Sequence, residues 1–182
     1  MPFTCQIPVK NYIKTYIENN CGSPANLSGL PEINDLFVDL LKYPRFNRDK
    51  QSKCNYSSIV TLNISSDTFY RYGWQLSKTD IVRFNQKCEA MIKFNSRHFI
   101  MANNSLGIPV STCIREFQSM FKFDEDTFTY EAIRKDFDRH GKKVPIKFIR
   151  DFKAELNIIL LDNLSSFGTL SNSFKNEINN KT

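Results

Sequence analysis

Apolar positions along the chain fall mostly at helical spacing. Val9, Tyr12, Ile13, Tyr16 and Ile17 recur every three to four residues, which predicts a helix over 7–20 with Gly22 as its stop. A second helix is expected from about Pro31, since proline suits the first helical turn, and Ile33, Leu36, Phe37, Leu40 and Leu41 form its apolar stripe. Residues 43–55 show no period, contain Pro44 and carry Arg45, Arg48, Lys50 and Lys53, so they read as an exposed basic loop. Over 58–65 the period drops to two: Val60, Leu62 and Ile64 alternate with Thr61 and Asn63, as in a half-buried strand. A lone strand needs a partner, either a further strand of the same chain or a second copy of the protein.

Helical spacing then returns. Ser66 or Asp67 caps a short helix that ends near Gly73. A long helix is predicted over 77–103, with Ile81, Phe84, Cys88, Met91, Ile92 and Phe99 on one side. Pro109 opens the next, whose buried stripe is Val110, Cys113, Ile114, Phe117 and Phe121. After the acidic turn Asp124, Glu125 and Asp126, Thr129 caps a helix through His140, stopped by Gly141. Pro145 opens the last helix, with Ile149, Phe152, Leu156, Ile159 and Leu160 turned inward. The expected fold is mainly α: a bundle of about six or seven helices with one short strand or a small β-hairpin. It forms a single domain over 1–164, and the Ser- and Asn-rich tail 165–182 is expected to be flexible.

Composition supports a real core, with 41% hydrophobic and 24% charged residues, and 16 phenylalanines point to large rings closing gaps between short helices. Each glycine stands alone, so no Gly-rich loop is available to cradle a phosphate. Residues 1–21 lack an uninterrupted apolar stretch and contain Lys10, Lys14 and Glu18, so no secretory signal is expected. No run of about 18 apolar residues occurs, which excludes a membrane helix. Cys5, Cys21, Cys54, Cys88 and Cys113 are odd in number and scattered, a poor disulfide or zinc framework, and reduced thiols in a cytoplasm explain them best. The net charge of +6 favours polyanions.

That charge gains meaning over 109–143, where two short amphipathic helices follow each other as in a helix-turn-helix unit. In the second, Tyr130, Ile133 and Phe137 share the face that packs on the first. Arg134, Lys135, Asp138 and Arg139 lie opposite, followed by Lys142 and Lys143, and Lys147, Arg150 and Lys153 continue the cations. A recognition helix needs this division, one face anchored and the other free to reach phosphates and base edges. The connection over 122–128 is longer than the usual turn, and Glu131, Asp136 and Asp138 dilute the positive face.

Other chemistry is thinner. The strand, short helix and long helix over 60–103 have the order of a ribbon-helix-helix repressor, whose strands pair across a dimer, but the outward Thr61 and Asn63 carry no charge. The run from Phe69 to Trp74 interleaves rings with Arg71, as a stacking platform for single strands does; rings at this density beside a strand more often fill a core. His98 and His140 lie in no nucleophile or metal spacing, and Asp124, Glu125 and Asp126 read as turn caps rather than magnesium ligands. No catalytic residue, metal or cofactor is expected.

The stretches Asp67 to Trp74, Cys113 to Phe117 and Tyr130 to Phe137 resemble those of small uncharacterised proteins from phages and mobile elements of gut bacteria, along most of the chain. Residues 109–143 are also similar, in helical pattern and basic residues, to the C-terminal helix-turn-helix of Mor-type phage transcription activators. This second resemblance implies a dimeric DNA-binding regulator with Arg134, Lys135 and Arg139 facing DNA. The expectation is a non-enzymatic DNA-binding protein of a phage or mobile element, acting in transcription or replication. Arg134, Lys135, Arg139, Lys142, Lys143 and Lys147 are its candidate contacts, DNA and a second copy its partners, and the cytoplasm of the host cell its place. The alternative is a structural or assembly protein of a phage particle, virion-associated and acting through protein contacts.

Overall fold

The computed structural model describes residues 3–43 and 55–141. Over these the chain is mainly helical, with a two-stranded antiparallel sheet. Chain order is β1 (Phe3–Val9), α1 (Asn11–Cys21), a 3-10 turn (Leu27–Gly29), α2 (Pro31–Leu40), β2 (Ser58–Ile64), α3 (Ser66–Tyr72), α4 (Lys78–Ser105), α5 (Val110–Phe121) and α6 (Tyr130–His140). The basic loop expected over 43–55 lies almost wholly outside the described residues. The helix from Pro145 and the tail lie entirely outside them.

The opening of the chain corrects the sequence reading. The helix expected over 7–20 begins only at Asn11, and Phe3 to Val9 is a strand. Two periods share Val9: it starts the helical series that continues through Tyr12 and Ile13, and it ends an alternating series Phe3, Cys5, Ile7, Val9. The alternating series wins because Cys5, Ile7 and Val9 are all buried by it, while Thr4 and Gln6 face solvent. Pro8, which has no N–H to donate, is tolerated in an edge strand.

β1 supplies the partner that the second strand lacked. All seven residues pair, from Phe3 opposite Ile64 to Val9 opposite Ser58. The other edge of β2 is also used, because the Ala25 N–H donates to the Thr61 carbonyl and the Asn63 N–H to the Ala25 carbonyl, each at 2.8 Å. β2 thus finds its partners inside the chain, β1 along its full length and Ala25 at a single bridge, unlike the ribbon-helix-helix order, in which the strand pairs across a dimer.

Behind the sheet runs α4, whose 28 residues span roughly 42 Å at the usual rise. Phe84, Cys88, Ile92 and Ile100 are fully buried along it, in one cluster with residues of β1, β2, α1, α2, α5 and α6. Its start is fixed by a reciprocal cap: the Ser77 hydroxyl accepts from the Asp80 N–H, and Asp80 accepts from the Ser77 N–H. Asp80 is buried and also holds the Lys42 ammonium at 2.7 Å. Lys42 in turn exchanges backbone hydrogen bonds with Gln75, and Gly73 is pressed against this strap. A Cβ at Gly73 would lie 2.4 Å from the Lys42 carbonyl group.

One side chain joins sheet and spine. Asn85, buried on α4, donates to the Pro8 carbonyl at 3.0 Å and to the Ile81 carbonyl at 2.9 Å. It accepts from the Lys10 N–H at 3.1 Å. It therefore ties the Pro8 carbonyl near the end of β1 and the Lys10 N–H at the entry to α1 to the same side chain of α4.

The ring-rich run after β2 departs from the core-filling expectation. α3 has no buried residue; Phe69 packs against the core from its side, while Tyr70, Tyr72 and the following Trp74 stand exposed.

Two outcomes are expected. Asn85→Leu keeps the branching of the side chain but removes its hydrogen bonds to the Pro8 carbonyl and the Lys10 N–H, and should lower unfolding stability in urea by about 2–4 kcal/mol. An unchanged midpoint would contradict the junction role. Burial by itself would raise the Asp80 pKa, but the Lys42 ammonium and the Ser77 hydroxyl and N–H reverse it, so the group sits below the usual 3.8. A depressed carboxylate stabilises the fold above its unfolded pKa and loses that contribution as pH falls through the folded value. The stability gap between the wild type and Asp80→Asn should be present at pH 7 and shrink below about pH 4. A gap independent of pH would contradict the pairing.

Candidate nucleic-acid interface

α6 is built to present one face. Thr129 caps it, its hydroxyl accepting from the Ala132 N–H at 3.1 Å, and a carboxylate oxygen of Glu125 accepts from the Tyr130 N–H at 3.2 Å. Ile133 is fully buried, and Tyr130 and Phe137 are half-buried against the core, as the apolar pattern predicts. The helix packs on both α4 and α5.

The connection from α5 spans residues 122–129, longer than the three or four residues of a tight helix-turn-helix. Its length has a physical reason: Phe123 and Phe128 are buried, and Phe128 stacks on Tyr12 of α1 with ring centroids 5.0 Å apart. Lys122 takes the left-handed conformation (φ 53°) that closes α5. The buried Gln118 amide then donates to the Phe128 carbonyl at 2.9 Å and to Glu125 at 3.2 Å. Asp124 accepts from the Thr127 N–H at 2.7 Å. Asp124 and Glu125 thus act as turn and helix caps. Among the described residues no group of three His, Cys, Asp or Glu side chains is placed to hold a metal ion.

Arg134, Lys135 and Arg139 are exposed on the outer face of α6, together with Glu131 and Asp138. Lys142, Lys143 and Lys147 lie outside the described residues. Asp136, counted from sequence as diluting the positive face, is turned the other way. Its carboxylate meets the Arg97 guanidinium of α4 at 2.9 Å, with both side chains largely buried, at 12% and 21% exposure. That leaves three cations against two carboxylates on the outer face. Of these five groups only Arg134 and Asp138 approach each other, at 3.9 Å in an exposed pair.

Two contributors were invisible in the sequence. Arg97 and Asp136 are 39 positions apart, and no spacing announces their contact. Arg115 of α5 extends its guanidinium over the Tyr130 ring, 5.9 Å from the centroid, adding an exposed cation beside the start of α6. Of the two histidines, His98 is buried on α4 with Nδ1 2.8 Å from the Phe94 carbonyl, and His140 is exposed at the end of α6. No helix among the described residues is long and apolar enough to cross a membrane. Comparison with protein-family models, with curated proteins and with solved structures finds no match.

The inner and outer carboxylates of α6 should behave oppositely. Asp136→Ala leaves Arg97 poorly hydrated and unpaired and should cost about 1–3 kcal/mol. Asp138→Ala should stay within about 0.5 kcal/mol of wild type, because an exposed pair contributes little. Equal costs in thermal or urea unfolding would contradict this division of the helix.

Proposed function

We propose that the chain is a non-enzymatic DNA-binding protein in which α6 lies against duplex DNA, its cations contacting phosphates and base edges. The observation that carries this reading is the two-sidedness of α6. Ile133, Phe137 and Asp136 hold it against the core and α4, while Arg134, Lys135 and Arg139 project into solvent. Phosphate contacts supply most of the affinity of such a surface and base contacts its sequence preference. A helix held rigidly by its inner face makes those contacts without first being ordered.

Lys142, Lys143 and Lys147 follow in sequence and carry the same sign of charge onward. The net charge of +6 supports long-range attraction to a polyanion. The expected resemblance of 109–143 to Mor-type activators is the ground for reading this activity as transcription or replication of a phage or mobile element. A regulator of that kind works as a symmetric dimer on paired half-sites.

Charge reversal tests the reading. Arg134→Glu with Arg139→Glu should weaken duplex binding at least about tenfold at low salt and reduce the slope of log affinity against log salt by about 2. Both positions are exposed, so the unfolding midpoint should hardly move. Affinity unchanged in a folded double variant would remove α6 from any DNA interface.

A further inference from the structure

We infer, resting on the DNA contact proposed for α6, that α5 belongs to the same surface and that Arg115 takes a phosphate of the duplex backbone. Arg115 projects from α5 with its guanidinium over the Tyr130 ring, 5.9 Å from the centroid. Tyr130 is the first residue of α6, so this contact sets a cation of one helix against the start of the other.

Helix geometry fixes where that cation lies. Arg134 follows Tyr130 by four residues, one turn along α6 and about 40° round it. Tyr130 and Arg134 therefore mark the α5 side of α6, while Asp136, bonded to Arg97, marks the α4 side. Arg115 extends the positive edge that Arg134 begins. The outer face of α5 has a matching character. Ser111, Arg115 and Ser119, four residues apart, are exposed in a row, while Cys113, Ile114 and Phe117 are buried behind them. Hydroxyls also donate to phosphate oxygens, and such short side chains leave the guanidinium unshielded. Glu116 is the single carboxylate of α5, about 100° round the helix from Arg115.

The state of Arg115 suits a phosphate. Arg71, Arg97 and Arg134 each face a carboxylate, whereas Arg115 makes no ion pair among the described residues. A phosphate therefore displaces no internal partner. The ring lies against the guanidinium, and the edge of its planar fork is left free to bond two phosphate oxygens at once. A side chain already held on a ring loses less freedom when it binds. Phosphate contacts carry no sequence information, so α5 supplies affinity and orientation and leaves base edges to α6.

The test is anisotropy of labelled duplexes of several sequences, titrated with the full chain over a series of salt concentrations. Arg115→Ala should weaken every duplex by a similar factor, about fivefold at low salt, and lower the slope of log affinity against log salt by about 1. Arg115→Lys keeps the charge but not the fork, so it should keep the slope and still bind less tightly than the wild type. Tyr130→Leu removes the ring, and its loss should be less than additive with that of Arg115→Ala, because the ring acts through the guanidinium. Arg115 is exposed, so its variants should unfold in urea at nearly the wild-type midpoint. Wild-type affinity and slope in Arg115→Ala, with Arg134→Glu plus Arg139→Glu still weakening binding, would remove α5 from the surface and leave α6 there. A loss in Arg115→Ala confined to one duplex sequence would equally overturn a phosphate contact. No duplex binding by the wild type would overturn the α6 reading and this one together.

Discussion

The Asn85 amide is the contact on which the arrangement of sheet and helices depends. A two-stranded sheet is marginal on its own and needs a helix against one face. Here that helix is α4, and Asn85 fixes where along it the sheet sits by bonding both sides of the β1–α1 turn. The apolar cluster around Phe84, Cys88 and Ile92 supplies the bulk of the attraction, which is not directional. The amide supplies the direction. Once β1 is placed, β2 follows by register, and α1 leaves the turn to pack against both α4 and β2.

The far end of the spine works by similar means. Ile133 and the Arg97–Asp136 pair set α6 against α4, and the buried rings of Phe123 and Phe128 hold the preceding connection to the core. An ion pair this far removed from water contributes less to stability than its distance implies, because both groups lose hydration. Its directional role is clearer: it fixes which carboxylate of α6 faces inward, and so which charges remain outside. The proposed DNA contact depends on that sorting. With Asp136 outward, three cations would face three carboxylates and the surface would carry no excess charge.

Much of the helical framework was legible because it is locally encoded. Pro31, Ser77 and Thr129 mark helix starts through backbone chemistry that acts over three or four residues, and the stripes of α4 and α5 repeat without interruption. β1 was not legible, because Val9 fits two periods at once and the choice between them is made by β2, far along the chain. The exposure of Tyr70, Tyr72 and Trp74 was missed for a related reason. Ring density reads as core until it is known that Phe69 alone of that run faces inward. For the candidate interface, the inner and outer faces of α6 were visible in its spacing, whereas the orientation of Asp136 required Arg97. Lys142, Lys143 and Lys147 rest on sequence alone.

The most direct test of the central claim is equilibrium binding of the intact chain to labelled duplex DNA across a series of salt concentrations. Tight binding at low salt that falls steeply and linearly on logarithmic axes is the expected result, with a slope reflecting several neutralised phosphates. Preference for one duplex sequence above that background would place the protein among regulators. No duplex binding at the lowest salt concentration would contradict a DNA-facing α6, and would direct attention to a protein partner for the same surface.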